Sequence, residues 1–442
     1  MNKYIYQRSD NIETYKKNSI SLFGSVALGT GVMIGAGLFA LIGQVAQLAG
    51  SYLVISFILG AIVAGFSAYS YICFSNQFPS AGGIAMYLKK AYGKSLSTAF
   101  GAILMTVSMI INESLVARTF GSYLYRLVDA YVPEVFIVIM AVLLIVFAYI
   151  INSSTNSKIE KTASITSIIK ILGILIFAVV GLLAMGQNSS SIFNSNTSSS
   201  VGLGGFLASI SLSILAYKGF TTITNSGSEI KDPHKNVSRS IMISLVICLI
   251  LYVLVAVVLL GNLSIEEIVN ARDYALAKAA DPILGQVGVT FTVVLAVIAT
   301  VSGIIASVFA VSRMTAMLVD MELIPFQKIR KNKRTQKSTL IYISGISLIL
   351  TLLFDMSRIA SLGVIFYLIM DIMIHYGLIK NLKDQVKYKL SVVLMALILD
   401  GICLVAFVFY KLLNDPLIVI FSSVIIAVIL IVEKRYLQVR NE

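Results

Sequence analysis

Along this chain, apolar stretches of about 20 residues alternate with short polar or charged segments, and about 20 apolar residues is the length an α-helix needs to cross a bilayer. Twelve such spans are read, at 20–47, 50–75, 97–127, 133–152, 162–185, 202–229, 239–261, 283–318, 338–354, 359–379, 390–410 and 417–433. The pattern is interrupted in two of them. The first contains GTGVMIGAGLF, residues 29–39, with glycines at 29, 31, 35 and 37. The sixth reads GLGGFLASISLSILAYKGFTTITNSGSE, in which serines, Lys218 and Gly219 break the apolar run. All six prolines fall at or near span ends, so a helix break at bilayer depth rests on glycine and local polarity.

Composition sharpens this picture. The 442 residues are 58% hydrophobic and 12% charged, about half the charged fraction of a soluble domain. The chain is therefore expected to be an all-α polytopic membrane protein. The net charge of +13 is distributed by topology. Alternate loops are basic: Lys3, Arg8, Lys16 and Lys17; Lys89, Lys90 and Lys94; Lys158 and Lys161; Lys231, Lys235 and Arg239; Lys328 to Lys337; Lys380 to Lys389; Lys434, Arg435 and Arg440. The intervening loops hold Glu134, Glu266, Glu267 and Asp273. That asymmetry predicts a multi-pass protein of the cell membrane with both termini cytoplasmic. Nucleic-acid binding is not needed to explain the charge. The N-terminal residues mix both charge signs and precede a run too long for a signal peptide. Cys73, Cys248 and Cys403 read as apolar packing residues, and His234 and His375 have no ligand spacing, so no metal or other cofactor is expected.

The interrupted spans are the first and sixth, and an offset of five places corresponding helices in opposite orientations. Unusual segments at matching positions of two five-span halves point to inverted repeats with a site between them. The expected organisation is a tail over 1–19, a first repeat over 20–185, a serine-rich external loop over 186–201, a second repeat over 202–379, two further helices over 380–433, and a tail over 434–442. Irregular backbone inside a bilayer is tolerated where protein buries it or where it lines a cavity. Uncoiling near Gly35, Ala36 and Gly37 would free amides suited to a carboxylate, and uncoiling near Gly31 to Met33 would free carbonyls suited to an ammonium or a metal ion. The Gly31/Gly35 spacing also fits a close helix crossing; the matching break in the sixth span favours a site.

Four motifs in order carry a resemblance: GTGVMIGAGLF, FPSAGGIAMYLKKAYG, ILAYKGFTTITNSGSEIKDPHKNVSRSI and SRMTAMLVDMELIP. The chain resembles the amino acid–polyamine–organocation permeases from about residue 18 to its last span, and among them the proton-coupled prokaryotic amino acid permeases. The resemblance implies twelve helices, the first ten a five-plus-five inverted repeat (the leucine-transporter-like fold) with helices 1 and 6 discontinuous. It implies that Gly35, Ala36 and Gly37 receive a substrate carboxylate, that carbonyls of Met33, Leu215 and Lys218 receive its amino group, and that Ala216 and Gly219 bind substrate beside them. Ser238 stands where many relatives have proline, Met321 where they have glycine, and Leu215 where some have an aromatic gate.

Two charges stand inside spans. Lys170 lies roughly 13 Å in from the end of the fifth span, at 1.5 Å per residue, where a charged lysine costs about 2.5–3.5 kcal/mol on insertion scales. An amine kept from water can exchange between its charged and neutral forms and so carry a proton. The resemblance places it where proton-coupled relatives have a lysine and sodium-coupled ones an ion, with the Gly31 carbonyl and a hydroxyl of Thr300 or Ser302 as partners. Glu113 in the third span is five residues from Arg118, off the spacing that pairs easily on a helix. It needs a partner on another helix, a proton, or a cationic substrate; Asn112 beside it falls where the family contacts substrate. Glu229, Lys231 and Asp232 begin a loop and read as solvated.

The expected function is secondary active transport of amino acids by alternating access with proton symport, or alternatively exchange of amino acids or amines without net proton movement. The partners are then a small-molecule amino acid, protons and the lipid bilayer. A channel would want repeated rings of carbonyls or charges, which the chain lacks. An enzyme would want an intramembrane base–nucleophile pair, for which two histidines in outer positions offer no basis.

Overall fold

The computed structural model describes residues 18–80, 82–128, 132–154, 159–185, 201–321, 323–324 and 335–441. The N-terminal tail with its four basic residues, Lys158, the serine-rich loop and the basic run 328–334 lie outside the described residues. The rest is helical, and among the described residues the only β contact is one isolated bridge between Ile20 and Ile230.

Among the described residues, twelve helical crossings follow the hydropathy pattern. Crossing 1 runs Leu22–Val32, Met33–Leu38 and Phe39–Ala49. Gly50 takes a positive φ of 53° and turns the chain into crossing 2, Leu53–Gln77. Crossings 3, 4 and 5 are Leu96–Val128, Val135–Ser154 and Ile159–Ala184. Crossing 6 is Leu203–Tyr217 followed by Phe220–Asn225, and crossing 7 is Pro233–Asn262. Crossing 8 spans Ala275–Asp320, and crossings 9 to 12 are Thr335–Leu353, Met356–Asn381, Leu390–Asn414 and Pro416–Asn441.

The side chains are sorted for lipid. Crossing 4 exposes Val135, Ile139, Leu143, Val146 and Ile150, a helical stripe, and crossing 11 exposes Ile398, Ile402, Val405 and Phe409. The interior holds Ser67, Glu113, Lys170, Lys218, Asp371, His375 and Asp400, all nearly inaccessible. Apolar groups face outward and ionisable groups inward, as a hydrocarbon solvent demands. The chain is a multi-pass membrane protein.

Two connections that the hydropathy pattern marks as loops are helical. FPSAGGIAMYLKKAYG forms a short helix, Gly83–Tyr92, after crossing 2. The segment beginning SIEE forms Ile265–Asn270, closed at its start by a capping box in which Ser264 and Glu267 each satisfy the other's backbone amide. Helix then resumes at Ala275 and runs through Pro282 to a kink at Gly285 (φ 56°, ψ −147°), where non-helical backbone separates it from the helix of the eighth span.

Candidate functional site

The expectation that crossing 1 uncoils is corrected. Its α-helical pattern is interrupted, but by six residues of π-helix, Met33–Leu38, with helical dihedrals on both sides. π-helical segments bond i→i+5 and recur at functional sites. The glycines serve close approach here, each toward a different neighbour. A side chain at Gly29 would strike Ile223 of crossing 6, and one at Gly31 would strike Ser167 of crossing 5. At Gly35 it would meet the Ala299 carbonyl of crossing 8 at 3.2 Å, and at Gly37 the Ala216 backbone and the Tyr252 hydroxyl. Packing on four sides keeps the segment coiled. Crossing 6 leaves the α-helical pattern for two residues, Lys218 and Gly219, where i→i+3 bonds carry the chain through a tight turn, and Gly219 sits against Met33 with no room for a Cβ.

Tyr252 of crossing 7 joins the two irregular segments. Its hydroxyl lies 2.6 Å from the Met33 carbonyl and 3.1 Å from the Ala216 carbonyl. The carbonyls assigned by resemblance to a substrate amine therefore already accept protein donors: Met33 from Tyr252, Leu215 from the Lys218 amide at 3.1 Å, and Lys218 from both the amide and the hydroxyl of Thr221. An incoming ammonium has to share or displace these bonds.

Between the segments lies a cavity lined by Met33, Ala36 and Gly37 of crossing 1, by Asn112 of crossing 3, and by Leu215, Ala216, Lys218 and Gly219 of crossing 6. Gly35 is not in its wall; it faces crossing 8. Sequence reasoning did not single out the remaining wall, Val32, Met109, Thr221, Thr222, Ser307 and Tyr367. The cavity volume is about 30 Å³, far below the roughly 300 Å³ at which small-molecule pockets begin, so an amino acid needs the walls to part.

Contacts tie crossing 1 to its neighbours on both sides of the cavity. On the side of Ala49, Gln44 Nε2 donates to Asp273 at 2.6 Å, and the Phe39 and Tyr123 rings meet edge to face at 5.4 Å. On the side of Leu22, the Ile20 amide donates to the Glu229 carbonyl and the Lys231 amide to the Ile20 carbonyl, both at 2.9 Å. Lys231 and Asp232 are exposed there, whereas Glu229 is buried.

Lys170 is 2% exposed, and its ammonium donates to the Gly31 carbonyl at 3.0 Å and to Ser302 Oγ at 3.1 Å. Crossings 1, 5 and 8 meet at this one amine. Thr300 does not take part; its hydroxyl donates to carbonyls of its own helix, Ala296 and Val297. Glu113 is fully buried one position from Asn112 and accepts from Ser307, a cavity residue, at 3.5 Å, while Arg118 donates elsewhere, to the Thr351 carbonyl.

His375, expected in an outer position, lies in the interior instead. It is fully buried in crossing 10, between Ser70 Oγ at 2.8 Å and Asp400 Oδ2 at 2.9 Å. Asp371, one turn before it, pairs with the Lys218 ammonium. Asp371 and His375 at i,i+4 share a helix face, and intramembrane charges mark functional regions; that was the available signal. Tyr252, an aromatic in an apolar span, carried none.

The family model described as amino acid permease matches residues 20–439. The chain is 31% identical to the inner membrane transport protein YbaT of Escherichia coli over 66% of this chain and 67% of that protein. It is 30% identical to an uncharacterized protein of Methanocaldococcus jannaschii over 86% and 88% of the two chains. It is also 30% identical to the branched-chain amino acid permease BcaP of Lactococcus lactis, over 53% and 54%.

Proposed function

The chain belongs to the amino acid permease family, and from that premise we propose that it is a proton-coupled secondary transporter of amino acids, alternating access around the cavity between crossings 1 and 6. The two five-crossing halves act as inverted repeats, and both termini face the cytoplasm. The observation that carries this reading is the sharing of crossing 1 between two sites. Its π-helical segment walls the cavity, and the Gly31 carbonyl, two residues before that segment, holds the Lys170 ammonium.

The chemistry follows from that geometry. A bound zwitterion sits between Ala36 and Gly37 of crossing 1 and the carbonyls around Lys218 and Gly219 of crossing 6, its ammonium toward those carbonyls; its carboxylate reaches the Ala36 and Gly37 amides when the coiled Met33–Leu38 segment opens on binding. Met33, Met109 and Leu215 supply an apolar wall that suits an aliphatic side chain, in keeping with the name of the Lactococcus relative. When Lys170 gives up its proton it releases the Gly31 carbonyl, and the tie between crossings 1, 5 and 8 loosens. Glu113, linked to the cavity through Ser307, is a second group able to hold a proton or favour a cation.

Uptake of labelled amino acids by the purified protein in proteoliposomes tests this, with and without an imposed pH gradient. Saturable uptake that the gradient drives above equilibrium is expected. Uptake of no amino acid above protein-free vesicles overturns the reading, and counterflow indifferent to the gradient replaces symport by exchange.

A further inference from the structure

Lys218 stands in the cavity wall, yet the groups holding its ammonium, Ser67 Oγ at 3.0 Å and a carboxylate oxygen of Asp371, do not. The Asp371 carboxylate is fully occupied. One oxygen receives Lys218 and, at 2.9 Å, the Ser67 hydroxyl; the other receives the Tyr71 hydroxyl at 2.6 Å. Tyr71 packs edge-on against Phe220, the first residue after the crossing 6 break, and the Lys218 ammonium lies 5.2 Å from the same ring. Tyr367, one turn before Asp371 on crossing 10, returns to the cavity wall. His375 and Asp400, further along, hydrogen-bond to each other. The Lys218 ammonium and the Asp371 carboxylate thus offset each other beside the cavity.

We propose that Asp371 sets the charge preference of the transport cavity: by neutralising the Lys218 ammonium beside the binding space, it admits solutes of no net charge and withholds an attraction for anions. Asp371 is a positioning residue, acting through Lys218. The transport reading above is its premise. Without Asp371, a buried positive charge faces the cavity about one lysine length away; at about 7 Å and an effective dielectric near 20, such a charge shifts the relative binding of anionic and neutral isosteres by roughly 50-fold. Removing Lys218 instead leaves Asp371 unbalanced and favours cations.

The test uses the full chain in proteoliposomes and three probes of similar size, glutamate, glutamine and lysine, each competing with the amino acid the wild type takes up. Asp371→Asn is expected to improve glutamate relative to glutamine by tenfold or more. Lys218→Met is expected to improve lysine relative to glutamine, and Lys218→Met with Asp371→Leu to restore the wild-type order. Damaged packing moves all three probes together, so shifts of opposite sign in the two single variants carry the result. Should Asp371→Asn not fold, the Lys218→Met shift decides alone. Unchanged ratios in the variants, or shifts of the same sign, overturn the role of Asp371 while leaving transport standing. A wild type that takes up no amino acid removes both.

Discussion

Replacing Lys170 by Met removes an amine while keeping nearly the same volume in a buried site where crossings 1, 5 and 8 meet. Two hydrogen bonds are lost, to the Gly31 carbonyl and to Ser302. Bonds from a charged donor contribute about 1.5–3 kcal/mol each, whereas holding the ammonium inside the membrane costs about 2.5–3.5 kcal/mol. Ser302 keeps bonds to the Ile298 and Ala299 carbonyls of its own helix. The two bonds together, about 3–6 kcal/mol, exceed that cost by at most a few kcal/mol, and the variant is expected to fold. Its transport should change sharply. One proton carried per substrate converts each pH unit into about 1.4 kcal/mol, or tenfold accumulation. Across two units, with the membrane potential clamped at zero, the wild type should accumulate substrate about 100-fold. Lys170→Met should equilibrate substrate and support counterflow with no accumulation. A variant that still accumulates substrate about 100-fold would refute the assignment of the coupling proton to Lys170.

Other expected outcomes follow from single contacts. Gly37→Val drives a side chain into the Ala216 backbone and the Tyr252 hydroxyl, so uptake should fall below detection, while Gly65→Ala, which meets nothing within 4 Å, should leave it unchanged. Tyr252→Phe leaves the Met33 and Ala216 carbonyls without their shared donor and should lower stability by about 1 kcal/mol in unfolding measurements. The Ser264 amide and hydroxyl hold the exposed Glu267 carboxyl below its ordinary pKa. A depressed carboxylate stabilises above its unfolded pKa and loses that contribution as pH falls through the folded value. Hydrogen exchange over Ile265–Asn270 should therefore accelerate on acidification, relative to the intrinsic rate, and Glu267→Gln should flatten that response.

The crossings were legible because hydrophobic length is a strong signal in a bilayer, and Lys170 because a lone charge in an apolar run has few places to go. The form of the break in crossing 1 was not legible. Four closely spaced glycines fit an uncoiled chain and a tightly packed π-helix equally well, and only the neighbours that press on Gly29, Gly31, Gly35 and Gly37 decide between them. Asp371, His375 and Asp400 were missed for another reason. Their meaning lies in pairing across crossings 2, 6, 10 and 11, and sequence spacing exposes just the Asp371/His375 half of it. The capping box at Ser264 was written in the sequence, but its short helix lies between spans, where hydropathy has nothing to register.

Solving the structure of the purified protein in lipid with a transported amino acid bound tests most directly whether crossings 1 and 6 hold the substrate between them. The amino acid should lie against Met33, Ala36 and Gly37 on one side and Leu215 to Gly219 on the other, in a cavity widened well beyond its present volume. An amino acid bound elsewhere, with those segments still closed on each other, would contradict the account.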